Sequence, residues 1–105
     1  MSAHDNLTRM MDNGIVAVIR ADSGELLADV AEALLAGGVD VMEVTFTVPH
    51  AIDVIKEVKR RIGDKVLLGA GTVLDTETAR AAILAGAEFI VSPSTDVDVI
   101  KLCRR

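Results

Sequence analysis

Glu43 sits inside Val-Met-Glu-Val-Thr-Phe, residues 41–46 of this 105-residue sequence, a context too apolar for a solvated edge position. A carboxylate placed there is expensive unless it has a partner or a task. Residues two apart on a strand share a face, so Val41, Glu43 and Thr45 point one way while Met42, Val44 and Phe46 point the other. The all-apolar set is the better candidate for packing under helices. Glu43 and Thr45 are thereby left to face a barrel lumen or the top of a sheet. The alternative reading of Glu43 is a loop-end carboxylate that reaches water, and the flanking Met and Val residues weigh against it.

Other polar residues gather at the ends of β-branched runs. Arg20 closes Ile-Val-Ala-Val-Ile-Arg (15–20), Thr47 follows the Glu43 run, Thr72 follows Gly-Ala-Gly (69–71), and Ser92-Pro93-Ser94 ends a fourth run. Arg20 reads either as an anion ligand at a strand end or as a surface partner of Asp22 or Glu25. The glycines before Thr72 would let backbone N–H groups approach a ligand, although neither the P-loop nor the dinucleotide glycine spacing is present. Ser92-Pro93-Ser94 reads as a strand terminator, since no His lies at a strand end to activate a serine. Cys103 and Met10-Met11 read as packing residues.

The elements that must position these side chains follow from alternating period. Short β-branched runs at 15–20, 39–46, 65–70 and 87–92 alternate with stretches of helical spacing, the signature of βα units on a parallel sheet. A short polar helix precedes the first strand and stops at Asn13-Gly14. Ser23 caps a helix with Leu26, Leu27, Val30, Ala31, Leu34 and Leu35 on its apolar side, ended by Gly37-Gly38. Pro49 sits where the next helix can begin, with Ile52, Ile55, Val58 and Ile62 as its stripe. Asp75 or Thr76 caps a third long helix closed by Gly86, and Thr95 or Asp96 opens a last one with Val97, Ile100 and Leu102. In such a sheet, chemistry collects at the C-terminal strand ends, where these polar residues lie.

Composition removes several classes of function. With 16 acidic against 11 basic residues and a formal charge of −5, nucleic acid is not an expected partner. One Cys and two His give no metal-ligand spacing and no intrachain disulfide, which predicts a reducing, cytoplasmic setting with no structural metal. No apolar run approaches the roughly 20 residues of a membrane helix, and Met1 to Asn6 has no signal-peptide pattern.

Taken in order, residues 15–20, Gly-Gly-Val-Asp-Val-Met-Glu-Val-Thr-Phe-Thr-Val-Pro (37–49), Gly-Ala-Gly-Thr-Val (69–73) and Gly-Ala-Glu-Phe-Ile-Val-Ser-Pro (86–93) resemble the 2-keto-3-deoxy-6-phosphogluconate / 4-hydroxy-2-oxoglutarate aldolases. The resemblance runs from about Asn6 to the end of the chain. It implies a (β/α)₈ TIM barrel, assembled as a homotrimer, that cleaves a keto sugar acid to pyruvate and an aldehyde through a Schiff-base lysine, with no cofactor. Glu43 then matches the general acid/base and Thr72 a hydroxyl that holds the keto-acid carboxylate. Some members carry an Arg four residues after the Glu, where this sequence has Thr47, and Arg20 is the natural substitute because guanidinium binds carboxylate bidentately. Pro93 matches a Ser-Pro turn that shapes the pocket wall.

The family's lysine lies on a later strand than any here. Lys56 and Lys59 read as exposed helix positions, Lys65 opens a strand at the wrong end, and Lys101 lies in the last helix. A full barrel needs about 200 residues or more. The expectation is therefore one domain, residues 1–105, formed by four βα units: the N-terminal half of an aldolase barrel with a short leading helix. Two alternatives stand beside it: a non-catalytic half-barrel that pairs with itself or with a separate C-terminal half, and an open flavodoxin-like binding domain.

Overall fold

A computed structural model describes residues 3–20, 23–48 and 50–105. The order is α1 (Ala3–Asn13), β1 (Ala17–Ile19), α2 (Gly24–Ala36), β2 (Val41–Thr45), α3 (Ala51–Ile62), a 3₁₀ turn (Gly63–Lys65), β3 (Leu67–Gly71), α4 (Thr76–Ala85) and α5 (Val97–Cys103). The three strands pair in parallel in the order β1-β2-β3. The fold is therefore the predicted α/β class with a parallel sheet.

Local chemistry sets the helix boundaries. Ser23 accepts from the Leu26 N–H and starts α2, which stops where the Gly37 N–H turns back to the carbonyls of Ala33 and Leu34. Of the two candidate caps for each later helix, Asp75 starts α4 through the Thr78 N–H at 2.6 Å, and Asp96 starts α5 through the N–H groups of Asp98 and Val99. Pro49, the expected start of α3, lies outside the described residues. On α3 the buried stripe is Ala51, Val54, Ile55, Val58 and Ile62, while Leu26 of the predicted α2 stripe faces out.

The parity of β2 holds. Met42 and Val44, with Leu68 and Ala70 of β3, belong to the core beneath Leu27, Ala28, Ala31, Ile55 and Val58. The opposite face carries Val41, Glu43 and Thr45 beside Leu67, Gly69 and Gly71, in a register that pairs Val18 with Glu43, Glu43 with Gly69, and Thr45 with Gly71.

Two strands differ from expectation. β1 covers only 17–19, with Ile15 and Val16 exposed before it, and among the described residues β1 has a hydrogen-bonded neighbour on one side only. The fourth run, 87–92, is reduced to one parallel bridge, Ala70 to Ile90. Its cause is a bulge. The Glu88 N–H donates to the Leu68 carbonyl at 2.7 Å, and in a regular parallel ladder the Glu88 carbonyl would then take the Ala70 N–H; the Phe89 carbonyl takes it instead, at 3.0 Å. The Glu88 carbonyl, displaced from the ladder, accepts from Asn6 Nδ2 of α1.

α1 closes the N-terminal end of the sheet. Arg9 donates from Nε and Nη2 to Asp40 Oδ2 just before β2, and also to the carbonyls of Asp64 and Lys65 just before β3. Asn13 Nδ2 reaches Asp40 Oδ1 at 2.6 Å. With that end covered, the opposite end, toward which the strands run, is the one left for chemistry.

Candidate active site

The site is built on the C-terminal halves of β2 and β3. Glu43 is only 8% exposed, and its side chain leans along the strand direction, past its lateral neighbour Gly69, to lie over Gly71. A Cβ at Gly71 would stand 2.6 Å from Glu43 Oε1 and 2.9 Å from Cδ, so the carboxylate occupies space that only glycine leaves open. Gly69 does the same for the Phe89 ring, which a Cβ would meet at 2.4 Å. These two glycines therefore make room for side chains. Among the described residues no hydrogen bond or ion pair reaches the Glu43 carboxylate. Burial alone pushes its pKa above the ordinary value.

Next to it lies a cluster of hydroxyls. Thr45 Oγ1, on the same face as Glu43, is 2.9 Å from Thr72 Oγ1 and 3.2 Å from Thr47 Oγ1. Thr45 is 1% exposed, Thr72 is half-buried and Thr47 is exposed. Thr72, directly after Gly71, holds a left-handed backbone with φ 56°, uncommon for a β-branched residue. So β2 and β3 bring Glu43, Thr47 and Thr72 of the sequence-predicted set to one strand end. Thr45, whose parity with Glu43 was legible, is the hydroxyl that links them, and nothing in its local sequence marked it as a hub.

Arg20 and Pro93 are placed differently. Arg20 follows β1 by one residue, two beyond the Val18 that neighbours Glu43, and is exposed with no hydrogen bond or ion pair among the described residues. Pro93 is exposed in the bend after residues 88–91. Cavities of about 430 and 310 Å³ open beside α5 and the 88–91 segment, and neither is lined by Glu43, Thr45 or Thr72. Of the lysines, Lys56, Lys65 and Lys101 are exposed, Lys65 at the N-terminal end of β3. Lys59 departs from its expected exposure: it is half-buried, with Nζ 2.6 Å from Glu88 Oε1.

A parallel α/β sheet covered at its N-terminal end, with a buried carboxylate and hydroxyls at the other, places its polar groups where parallel α/β folds, TIM barrels among them, carry their sites. The chain belongs to the KDPG and KHG aldolase family, whose match spans residues 7–105. It is 40% identical over 89 residues to the 2-dehydro-3-deoxy-phosphogluconate aldolase of Treponema pallidum, covering 85% of this chain and 42% of that one. The crystal structure of the 2-keto-3-deoxy-6-phosphogluconate aldolase of Zymomonas mobilis with 3-phosphoglycerate superposes with a TM-score of 0.84 at 35% identity, over 96% of this chain and 47% of that chain. The Legionella pneumophila KDPG aldolase, with pyruvate captured as a covalent carbinolamine, superposes with a TM-score of 0.77 at 34% identity, over 83% of this chain and 42% of that chain. The chain thus spans less than half the length of these relatives.

Proposed function

We propose that residues 1–105 form the N-terminal half of a (β/α)₈ aldolase barrel, four βα units counting the bulged 88–91 segment as the fourth strand. The reaction is retro-aldol cleavage of 2-keto-3-deoxy-6-phosphogluconate or 4-hydroxy-2-oxoglutarate to pyruvate plus an aldehyde. The observation that carries the reading is Glu43, a buried carboxyl with no ion pair among the described residues, aimed at the C-terminal end of the sheet beside Thr72.

In this reading the substrate ketone is held as a Schiff base by a lysine supplied from outside these residues. Glu43 takes the proton of the hydroxyl on the carbon being released, the carbon–carbon bond breaks, and its electron pair becomes the enamine of pyruvate. Glu43 then returns a proton to the enamine carbon, and hydrolysis releases pyruvate. A carboxyl whose pKa is raised by burial is suited to both transfers. Thr72 and Arg20 hold the keto-acid carboxylate, and Thr47, in the place where some members carry an Arg, joins this binding set through its contact with Thr45. Pro93 shapes the pocket wall. No cofactor takes part, and the assembly is a homo-oligomer.

Borohydride trapping with pyruvate, read by intact mass and peptide mapping, tests this. The expected result is no adduct on the chain alone and an adduct on the second half of a homologous barrel when the two are mixed. A pyruvate adduct on Lys56, Lys59, Lys65 or Lys101 would overturn it.

A second reading, a non-catalytic half-barrel that assembles with another copy of itself, would use the same outer edge of β1 that a separate C-terminal half would cover. Val18 is 55% exposed in the same row as Glu43 and Gly69, and the outer edge of β1 carries no strand among the described residues. Light scattering separates the two readings: a stable two-copy assembly that binds no second half favours self-assembly.

A further inference from the structure

Thr45 presents a problem of proton counting. A threonine hydroxyl carries one proton and two lone pairs, so it donates once and accepts twice. Thr45 Oγ1 contacts both Thr72 Oγ1 and Thr47 Oγ1, and at 1% exposure it has no water to turn to. It cannot donate to both neighbours. If both donated to it, its own proton would be buried without an acceptor, the costly outcome for a desolvated donor. Two arrangements remain. In one, Thr47 donates to Thr45 and Thr45 donates to Thr72, which frees the Thr72 proton to point outward. In the other the direction is reversed, and Thr72 spends its proton on Thr45.

An ionised carboxylate accepts hydrogen bonds and donates none, so in front of Thr72 it selects the first arrangement. Each hydroxyl then polarises the next, and the last one donates to the anion more strongly than an isolated threonine would. The exposed Thr47 completes either arrangement at little cost because water satisfies its free end. The backbone at Thr72 points the same way. A β-branched residue at φ 56° is held against its own preference, and the contact that it makes there is the 2.9 Å hydroxyl bond to Thr45.

We propose that Thr45 is a positioning residue for ligand binding: its buried hydroxyl sets the direction of the Thr47–Thr45–Thr72 chain so that Thr72 donates to the carboxylate of a keto acid. Thr47 then acts through Thr45, without a charge and without touching the ligand. The inference rests on the reading above that Thr72 binds that carboxylate.

The test is a pyruvate titration of the protein, followed through the ¹³C-methyl resonances of Thr45 and Thr72, on wild type, Thr45→Val, Thr45→Ser and Thr72→Val. Thr45→Val keeps the shape and removes the hydroxyl, and is expected to weaken pyruvate about three- to tenfold, as for loss of one hydrogen bond. Thr45→Ser is expected to stay within about twofold of wild type because the chain of protons is kept. Full affinity in Thr72→Val, or no pyruvate-dependent shift at Thr72 in wild type, overturns the underlying reading and the inference with it. Weakened binding in Thr72→Val with unchanged binding in Thr45→Val overturns the inference alone. Equal losses in Thr45→Val and Thr45→Ser overturn it too, because they assign Thr45 to packing.

Discussion

The Glu43 carboxylate lies against Gly71, on the neighbouring strand and one pleat beyond its own partner, where a Cβ would come within 2.6 Å of Oε1. Gly69 stands in the same relation to the Phe89 ring, at 2.4 Å. The two obstacles differ in kind: Oε1 is the free end of a flexible chain, whereas three atoms of one rigid ring crowd Gly69.

Alanine at the two positions is therefore expected to separate stability from function. In Gly71→Ala the carboxylate swings aside, and the backbone, which has no positive φ, accepts the methyl, so stability stays within about 1 kcal/mol. In Gly69→Ala the Phe89 ring must leave its seat, and a loss of about 1–3 kcal/mol is expected, as for overpacking. Urea unfolding of both variants measures the difference. With the Schiff-base amine supplied, Gly71→Ala should lose turnover although it stays folded.

Glu43 also predicts a pH dependence of stability. Its pKa is raised on folding from an ordinary value of 4.5, so the native state holds its proton to higher pH than the unfolded chain does. Stability is then lost as pH rises from about that ordinary value through the folded pKa, because the native state must either bury a charge or keep a proton that the solvent disfavours. Glu43→Gln removes this contribution. Thermal melts should show the variant more stable than wild type at neutral pH, with the advantage vanishing in acid below the ordinary carboxylate range. Its turnover in the completed enzyme should fall by about 10²–10⁴, the usual contribution of a general acid/base.

What the sequence could and could not reveal divides along local and long-range interactions. Ser23, Asp75 and Asp96 cap their helices through N–H groups two or three residues away, and the two-residue alternation of β2 sorts Glu43 and Thr45 from Met42 and Val44. Such contacts are written in neighbouring residues. The bulge at Glu88 exists only in the hydrogen bonds made across the sheet to Leu68 and Ala70 of β3. Lys59 is drawn in by Glu88, 29 residues away, which no reading of the α3 stripe contains. The left-handed Thr72 departs from the residue preferences that a turn rule uses.

Arg20 offers a cleaner separation of binding from folding. It is exposed and unpaired among the described residues, so Arg20→Met should leave unfolding free energy within about 0.5 kcal/mol of wild type. If its guanidinium grips the keto-acid carboxylate, pyruvate affinity should fall about tenfold or more, the scale of a charge-assisted hydrogen bond. An unchanged affinity by titration would leave Arg20 a solvated strand-end residue.

The strain at Thr72 can be weighed against its hydroxyl by two substitutions. Thr72→Gly relieves a left-handed backbone worth about 1–3 kcal/mol while losing roughly 1 kcal/mol to the freer unfolded chain. It also loses the hydrogen bond to Thr45, about another 1 kcal/mol, so the net stability should lie within about 1 kcal/mol of wild type. Thr72→Val keeps the β-branch at φ 56°, loses the same hydrogen bond and gains nothing back. Glycine should therefore be the more stable of the two in chemical denaturation, and both should lose pyruvate affinity. If valine proves the more stable, the left-handed backbone is not under strain, and the hydroxyl is not what holds a threonine there.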